Sequence, residues 1–264
     1  MQSGVDPAAN FESARALIVQ AAEQGATLIA TPEMTGLLQR RPNAFWSAVK
    51  RQGEDPLIEG FSSLSRDLEV NLLVGSLAVE TGDKRAANRS FLFGSDGELI
   101  ATYDKIHLFD VNLGRGQKWQ ESAIYDAGEK AVLADIGWAK IGLTICYDLR
   151  FSGLYRRLAQ AGAQIISVPA AFTAQTGKAH WETLLRARAI ETGSFILAPG
   201  QGGVHEDGRI TWGHSMIVGP WGDVLALRDN DTPGIIIADL NLSDVEEART
   251  KVPAWGFNDD FTGP

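Results

Sequence analysis

Ala21-Ala-Glu-Gln-Gly-Ala-Thr-Leu-Ile-Ala-Thr-Pro32 and Leu158-Ala-Gln-Ala-Gly-Ala-Gln-Ile-Ile-Ser-Val-Pro169 are two versions of one unit. Each reads as the last turn of a helix, a glycine stop, a short apolar strand and a closing proline. They match at the Gly-Ala junction, at one isoleucine and at the proline. A second pair repeats more sharply. Ser90-Phe-Leu-Phe-Gly-Ser-Asp-Gly-Glu-Leu-Ile-Ala101 parallels Ser215-Met-Ile-Val-Gly-Pro-Trp-Gly-Asp-Val-Leu-Ala226, with the serine, both glycines and the final alanine in register. Two similar half-sheets in one chain predict a pseudo-twofold α/β fold of four layers, α-β-β-α, with the sheets packed together and helices outside.

Working outward, Asn10 is expected to cap a helix that carries Ala14, Leu17, Ile18, Ala21 and Ala22 on one face, with Gly25 at its C-terminal cap. A strand from Ala26 to Ala30 follows. Residues 56–69 read as helix, and 71–79 and 89–94 as strands. Ser95-Asp-Gly97 turns the chain into a further strand over 98–103. One domain over residues 1–264, ending in a tail from about 253, accounts for the whole.

With 264 residues and 44% hydrophobic content, the chain can bury a substantial core. A net charge of −9 disfavours a nucleic-acid partner. Arg186 and Arg188 read as one face of a helix. No apolar stretch approaches the roughly 18 residues of a membrane span, and Met1-Gln-Ser-Gly-Val-Asp lacks the pattern of a secretory signal. A single cysteine cannot form an intrachain disulfide and fits a reducing, cytoplasmic setting.

That cysteine, Cys146, ends the apolar run Ile141-Gly-Leu-Thr-Ile-Cys146 and is followed by Tyr-Asp-Leu-Arg150. Two other apolar runs end on reactive groups: Leu28-Ile-Ala-Thr-Pro-Glu33 and Leu99-Ile-Ala-Thr-Tyr-Asp-Lys105. Each residue alone has an ordinary reading, a small buried hydrophobe for the thiol and solvated charges for the other two. Together they matter, because α/β sheets bind ligands at the carboxyl ends of their strands. A carboxylate, an ammonium and a thiol thus converge.

Thr31-Pro-Glu33, Tyr103-Asp-Lys105-Ile-His-Leu-Phe-Asp110, Gln120-Glu121-Ser122 and Leu143-Thr-Ile-Cys-Tyr-Asp-Leu-Arg-Phe151 resemble the four catalytic blocks of the nitrilase, or carbon-nitrogen hydrolase, superfamily. The resemblance extends through residues 176–191 and 213–222. It implies a cysteine amidase. Cys146 would form a thioester, and Glu33 would move the proton to the leaving amine and then activate water. Lys105 and the backbone N–H of Tyr147 would hold the oxyanion. Glu121, otherwise a surface glutamate of a polar loop, would fix Lys105. The backbone from Ala171 to Phe172 would line the pocket beside the scissile amide. Residues 176–191 and 213–216 most resemble deaminated-glutathione amidases, with the omega-amidases, which act on α-keto acid amides such as α-ketoglutaramate, as near neighbours. Either way the implied substrate is a small acidic ω-amide, the implied product ammonia, and the implied assembly a homodimer.

Some features depart from that pattern. Met1-Gln2 stands where the first strand of relatives ends, so the first strand is expected to be missing, from a start placed too late or a truncated chain. An upstream-extended form would then be the more soluble. Ser152-Gly153 replaces the usual Pro-Glu, and the tail Phe257-Asn-Asp-Asp-Phe-Thr-Gly-Pro264 lacks an arginine-rich ending. Arg150 is expected to pair with a carboxylate and brace the Cys146 turn, or else to touch an acidic substrate. His180 and Trp181 open a helix whose Leu184, Leu185, Ala189 and Ile190 form an apolar face. Two other classes stay open: a Cys/His hydrolase using His107, His180, His205 or His214, and a non-catalytic binding protein. The four scattered histidines show no zinc-ligand spacing, so neither metal nor cofactor is expected.

Overall fold

A computed structural model describes residues 1–114, 118–257 and 263. Its two principal sheets carry the repeat in their strand order. In the first, Leu28–Ala30 pairs parallel with Asn71–Gly82, which pairs antiparallel with Arg85–Phe93, which pairs antiparallel with Leu99–Asp104. In the second, Ile165–Ser167 pairs parallel with Phe195–Ala198, then antiparallel with Met216–Val218 and Val224–Leu227 in turn. The sequence of parallel and antiparallel pairings is the same in both. The second sheet then continues past Ile165–Ser167 with Lys140–Leu143 and Val132–Asp135.

No described strand occupies the place beside Leu28–Ala30 that corresponds to Lys140–Leu143. Residues 1–6 form no strand, and the first element is the helix Pro7–Glu23. The open edge of Leu28–Ala30 borders a cavity of about 390 Å³, walled also by Ile18, Ala21, Leu197 and residues 234–240.

Period-2 alternation along the central strands feeds two cores. Leu72, Val74, Phe91 and Phe93 join Ala14 and Ile18 of Pro7–Glu23 and Phe61 of the helix Pro56–Asp67. Leu73 and Leu92 instead join Ile141, Leu143, Ile165 and Ile166 of the second sheet. That same cluster takes in Tyr155 and Leu158 from the helix Ser152–Gln160, and Trp181 and Leu185 from Ala174–Thr192. Helix, sheet, sheet and helix are therefore stacked as expected. At about 1.5–3 kcal/mol for each fully buried large aliphatic side chain, the cores drive this stacking.

The closing prolines of the two repeats meet at Gly75. A Cβ there would lie 2.0 Å from the Thr31 carbonyl oxygen, 2.4 Å from that of Pro32 and 2.6 Å from Pro169 Cβ. Only glycine allows that approach, which brings the loop after Leu28–Ala30 against the loop after Ile165–Ser167.

Three local readings change. Asp6, not Asn10, caps the first helix: its side chain accepts from Ala8 N–H, and Pro7 takes the first helical position, where a missing N–H costs nothing. Asn10 is buried inside the helix, where its amide donates to the Gly4 and Gly36 carbonyls. Ile190 is 56% exposed and lies outside the buried face formed by Leu185 and Ala189. The strand before Cys146 ends at Leu143, so the thiol stands on a separate turn. Of the expected tail, Pro253–Gly256 forms a 3-10 turn, while residues 258–262 and 264 lie outside the described residues.

Candidate active site

The turn Cys146–Arg150 begins with Cys146 at φ +49°, a left-handed conformation costing about 1–2 kcal/mol for a residue with a Cβ. Surrounding bonds offset it. Cys146 N–H donates to the Pro169 carbonyl at 2.9 Å, and Arg188 Nε donates to the Leu149 carbonyl at 2.9 Å. Fully buried Asp148 is the hub: Oδ2 accepts from Ile145 N–H at 2.8 Å and from the Tyr103 hydroxyl at 2.7 Å. Its Oδ1 accepts from His107 N–H at 3.0 Å and lies 2.7 Å from His107 Nδ1. Burial, and then the Asp148 charge, push the Tyr103 phenol far above its ordinary range, so it remains a donor.

Glu33, Lys105 and Glu121 meet beneath this turn. Lys105 Nζ donates to Glu33 Oε1 at 2.8 Å and to Glu121 Oε2 at 2.9 Å. The Asn88 amide donates to Glu33 Oε1 at 2.8 Å and to Glu121 Oε1 at 3.1 Å, tying the two carboxylates together. Glu33 Oε2 accepts from Ala171 N–H at 2.8 Å, and Glu121 Oε2 from Phe109 N–H at 2.6 Å. Glu33 and Lys105 are only 4% and 2% exposed, so these charges persist by pairing.

The electrostatics separate the groups. Burial raises the Glu33 carboxyl, but the Lys105 charge and hydrogen bond, with donation from Cys146 and Ala171, outweigh it and hold Glu33 below the usual value. Burial lowers Lys105, but Glu121 and then Glu33 overcome it and lift the ammonium well above its ordinary range. Burial, and next the Glu33 charge, push the Cys146 thiol well up, more than Lys105 pulls it down. At neutral pH the site therefore holds a carboxylate hydrogen-bonded to a protonated thiol, beside a charged ammonium. A carboxylate so placed has the chemistry of a general base toward the thiol.

All of the expected site residues line one cavity of about 540 Å³: Glu33, Lys105, Glu121, Cys146, Tyr147, Ala171 and Phe172. The expectation for Ala171 changes in detail, because its N–H is committed to Glu33. Phe172 packs against Trp181 at 5.0 Å between ring centres. Arg150 has no carboxylate partner among the described residues. It stands 3.3 Å from His180 Nδ1, with its guanidinium carbon 5.4 Å from the centre of the Phe172 ring and 6.0 Å from that of Tyr147. The brace expected from Arg150 comes instead from Asp148, whose acceptors are taken by Ile145, Tyr103 and His107.

The histidine alternative finds no geometry. No histidine lines the described cavity. His107 is held by Asp148, His205 by the Ser3 carbonyl and Thr211, and His214 by the Trp212 carbonyl. Among the described residues no group of three or more His, Cys, Asp or Glu is placed to hold a metal ion, and none of their helices is long and apolar enough to cross a membrane.

A carbon-nitrogen hydrolase family model matches residues 1–250. The deaminated glutathione amidase of Synechocystis sp. is 38% identical over 252 residues, 93% of this chain and 90% of that one. The crystal structure of Saccharomyces cerevisiae Nit3, described as a member of branch 10 of the nitrilase superfamily, superposes with a TM-score of 0.85 at 28% identity, over 96% of this chain and 91% of that one. A variant of the amidase from Nesterenkonia sp. AN1, with acrylamide joined to its active-site cysteine by Michael addition, gives a TM-score of 0.78 at 27% identity, over 96% and 95%.

Proposed function

The chain belongs to the carbon-nitrogen hydrolase family and is an amidase, and on that premise we propose that Cys146, Glu33, Lys105 and Glu121 hydrolyse deaminated glutathione through a thioester. The observation that carries the mechanism is the buried Cys146 thiol hydrogen-bonded to a Glu33 carboxylate that Lys105 keeps ionised. The substrate rests on the name borne by relatives of this chain along nearly its whole length.

Glu33 takes the thiol proton as Cys146 Sγ bonds to the amide carbon, and the carbonyl oxygen becomes an oxyanion held by the Lys105 ammonium and Tyr147 N–H. The oxyanion collapses, the C–N bond breaks, and Glu33 delivers its proton to the departing nitrogen. Glu33 then takes a proton from water, whose oxygen attacks the thioester. Breaking the C–S bond frees the acid and returns the proton to sulfur. Glu121 keeps Lys105 charged and fixed while Glu33 passes through its neutral form.

The leaving group needs a correction. Deaminated glutathione is glutathione whose α-amino group has been replaced by a keto oxygen, so its acyl half is an α-ketoglutaryl group and its γ-amide nitrogen belongs to cysteinylglycine. That dipeptide leaves, together with α-ketoglutarate. Ammonia is released only from a primary amide, which makes α-ketoglutaramate, the omega-amidase substrate, the comparison to run. Arg150 does not itself line the cavity but stands beside Tyr147 and Phe172, which do, and has no carboxylate partner among the described residues, so it suits the α-keto acid carboxylate common to both.

Release of α-ketoglutarate from each amide, followed against pH, tests the reading. kcat/KM reports free-enzyme groups, and the reactive pair is carboxylate plus thiol. Glu33 is held below the usual glutamate range and Cys146 is pushed well above the usual thiol range. The profile should hold level from neutral pH down through the ordinary glutamate range and up past 9. An acid limb at the ordinary histidine value would refute Glu33 as base.

A reducing, cytoplasmic setting suits a free thiol nucleophile. Exposed Ile190 and Trp221, at 56% and 60%, support a homodimer. Sedimentation should report twice the 28.5 kDa chain mass, and a single chain mass would refute the dimer.

A further inference from the structure

One wall of the catalytic cavity is a continuous row of rings. Tyr147 meets Phe109 edge-on at 5.0 Å, and Phe109 meets Trp119 at 6.2 Å. A guanidinium stands at each end: Arg150 by Tyr147, and Arg40, 4.8 Å from the centre of the Trp119 ring, at the other. Arg40 also borders the cavity, as do Arg209 and Lys118. Arg40 has no carboxylate partner within ion-pair distance among the described residues.

The charge balance at that end is one-sided. Arg209 Nε is paired at 2.8 Å with Asp207, whose side chain is 1% exposed. Glu33 and Glu121 are both engaged by Lys105. Arg40 feels burial, then repulsion from Arg209, and only partial relief from Asp207. Arg40 is exposed and borders this cavity with no carboxylate of its own, so an anionic group bound there would meet an unmatched guanidinium.

Building on the proposed reaction, we infer that Arg40, backed by Arg209, binds a carboxylate carried by the leaving amine, while Arg150 takes the acyl side. The sidedness follows from the loop geometry. Arg40 lies on the loop that leads from Glu33, the group that hands the proton to the leaving nitrogen, to the helix Pro42–Ala48, and Arg209 lines the same cavity. The Arg209 charge reaches the half-buried Tyr125, whose hydroxyl lies 3.8 Å from Met34 Sδ on the loop after Glu33. Deaminated glutathione has one carboxylate on its keto-acid end and another on its glycine end. α-Ketoglutaramate has only the first. Arg40 and Arg209 are thus specificity-determining residues that select an amide with an anionic leaving group.

The test uses Arg40→Met and Arg40→Lys against three amides: deaminated glutathione, the same compound with its glycine carboxylate converted to a neutral amide, and α-ketoglutaramate. Arg40→Met should raise KM for deaminated glutathione roughly 10- to 100-fold, the range for a hydrogen bond to a charged group. kcat should change little, and both other substrates should stay within about twofold, as expected for contacts made equally in ground and transition states. Arg40→Lys should recover part of the loss. Titration of deaminated glutathione into Cys146→Ala, with and without Arg40→Met, should show the same weakening without turnover. Equal losses on all three substrates, or no loss on any, would overturn the subsite while leaving the amidase reading intact. A wild type that hydrolyses α-ketoglutaramate but neither hydrolyses nor binds deaminated glutathione would overturn the proposed substrate and the subsite together.

Discussion

Cys146→Ala should lower kcat/KM by about 10⁴-fold or more, the scale on which enzymes with covalent intermediates lose rate when the nucleophile is removed. No other described residue lining the cavity carries a thiol. Lys105 is a charged ammonium held by two glutamates, and Tyr147 contributes its backbone N–H to the proposed oxyanion site. The fold should survive the change. Cys146 is a small buried side chain, and alanine keeps the Cβ and the backbone bond to Pro169. Thermal unfolding should therefore move by only a few degrees, about 1–2 kcal/mol for one buried sulfur, while α-ketoglutarate release disappears. Loss of activity together with collapse of the unfolding transition would instead make Cys146 a packing residue.

Glu33→Gln is the second large effect. Glutamine preserves the volume and leaves an oxygen to accept from Lys105 or Ala171, but it cannot take a proton. General acid-base groups contribute about 10²–10⁴-fold. Glu33 is proposed to act in both acylation and deacylation, so a loss near the upper end, about 10⁴-fold, is expected. The substitution has a second consequence of opposite sign for the thiol. After burial, the Glu33 charge is the main influence that raises Cys146, and Lys105, followed by the Ala171 backbone N–H, lowers it. Removing the carboxylate leaves the lysine, so thiolate should form at lower pH than in the wild type. Alkylation of Glu33→Gln by iodoacetamide should thus persist, with its rate rising through a lower pH range, while amide hydrolysis is lost. A variant that retained hydrolysis would move the base to another residue.

The repeat was legible because each unit has the same local grammar: helix, glycine, apolar strand, proline. Gly25 and Gly162 both adopt positive φ after their helices, at +89° and +103°. Their prolines close on Gly75, a long-range contact that no local pattern announces. Glu33, Lys105 and Cys146 were legible as reactive types just beyond apolar runs, although the thiol proved to stand on its own strained turn. Glu121 was legible only through family resemblance, because its position after the short strand Lys118–Gln120 carries no local sign that Lys105 lies beside it. Asn88 and Asp148 were missed for a related reason. Each is one polar residue in or beside an apolar segment, and its meaning lies in partners such as Glu33 and Tyr103 that are distant in sequence. Arg150 was expected to seek a carboxylate, but the nearest in sequence, Asp148, was already saturated by backbone, phenol and imidazole donors. The N-cap was misread because Asn10 and Asp6 both have capping side chains; Pro7, which fits only the first helical position, decides between them.

Central to the account is one acyl group passing through one sulfur. Deaminated glutathione and α-ketoglutaramate differ in their leaving amines but share their acyl half, so both should form the same thioester. The measurement is intact-protein mass and peptide mapping after rapid acid quench during turnover of each substrate, with Cys146→Ala alongside. The same α-ketoglutaryl mass increase, on the peptide containing Cys146 for both substrates and absent from Cys146→Ala, is the predicted result. Turnover that persists in Cys146→Ala, with no adduct on Cys146 of the wild type, would contradict it.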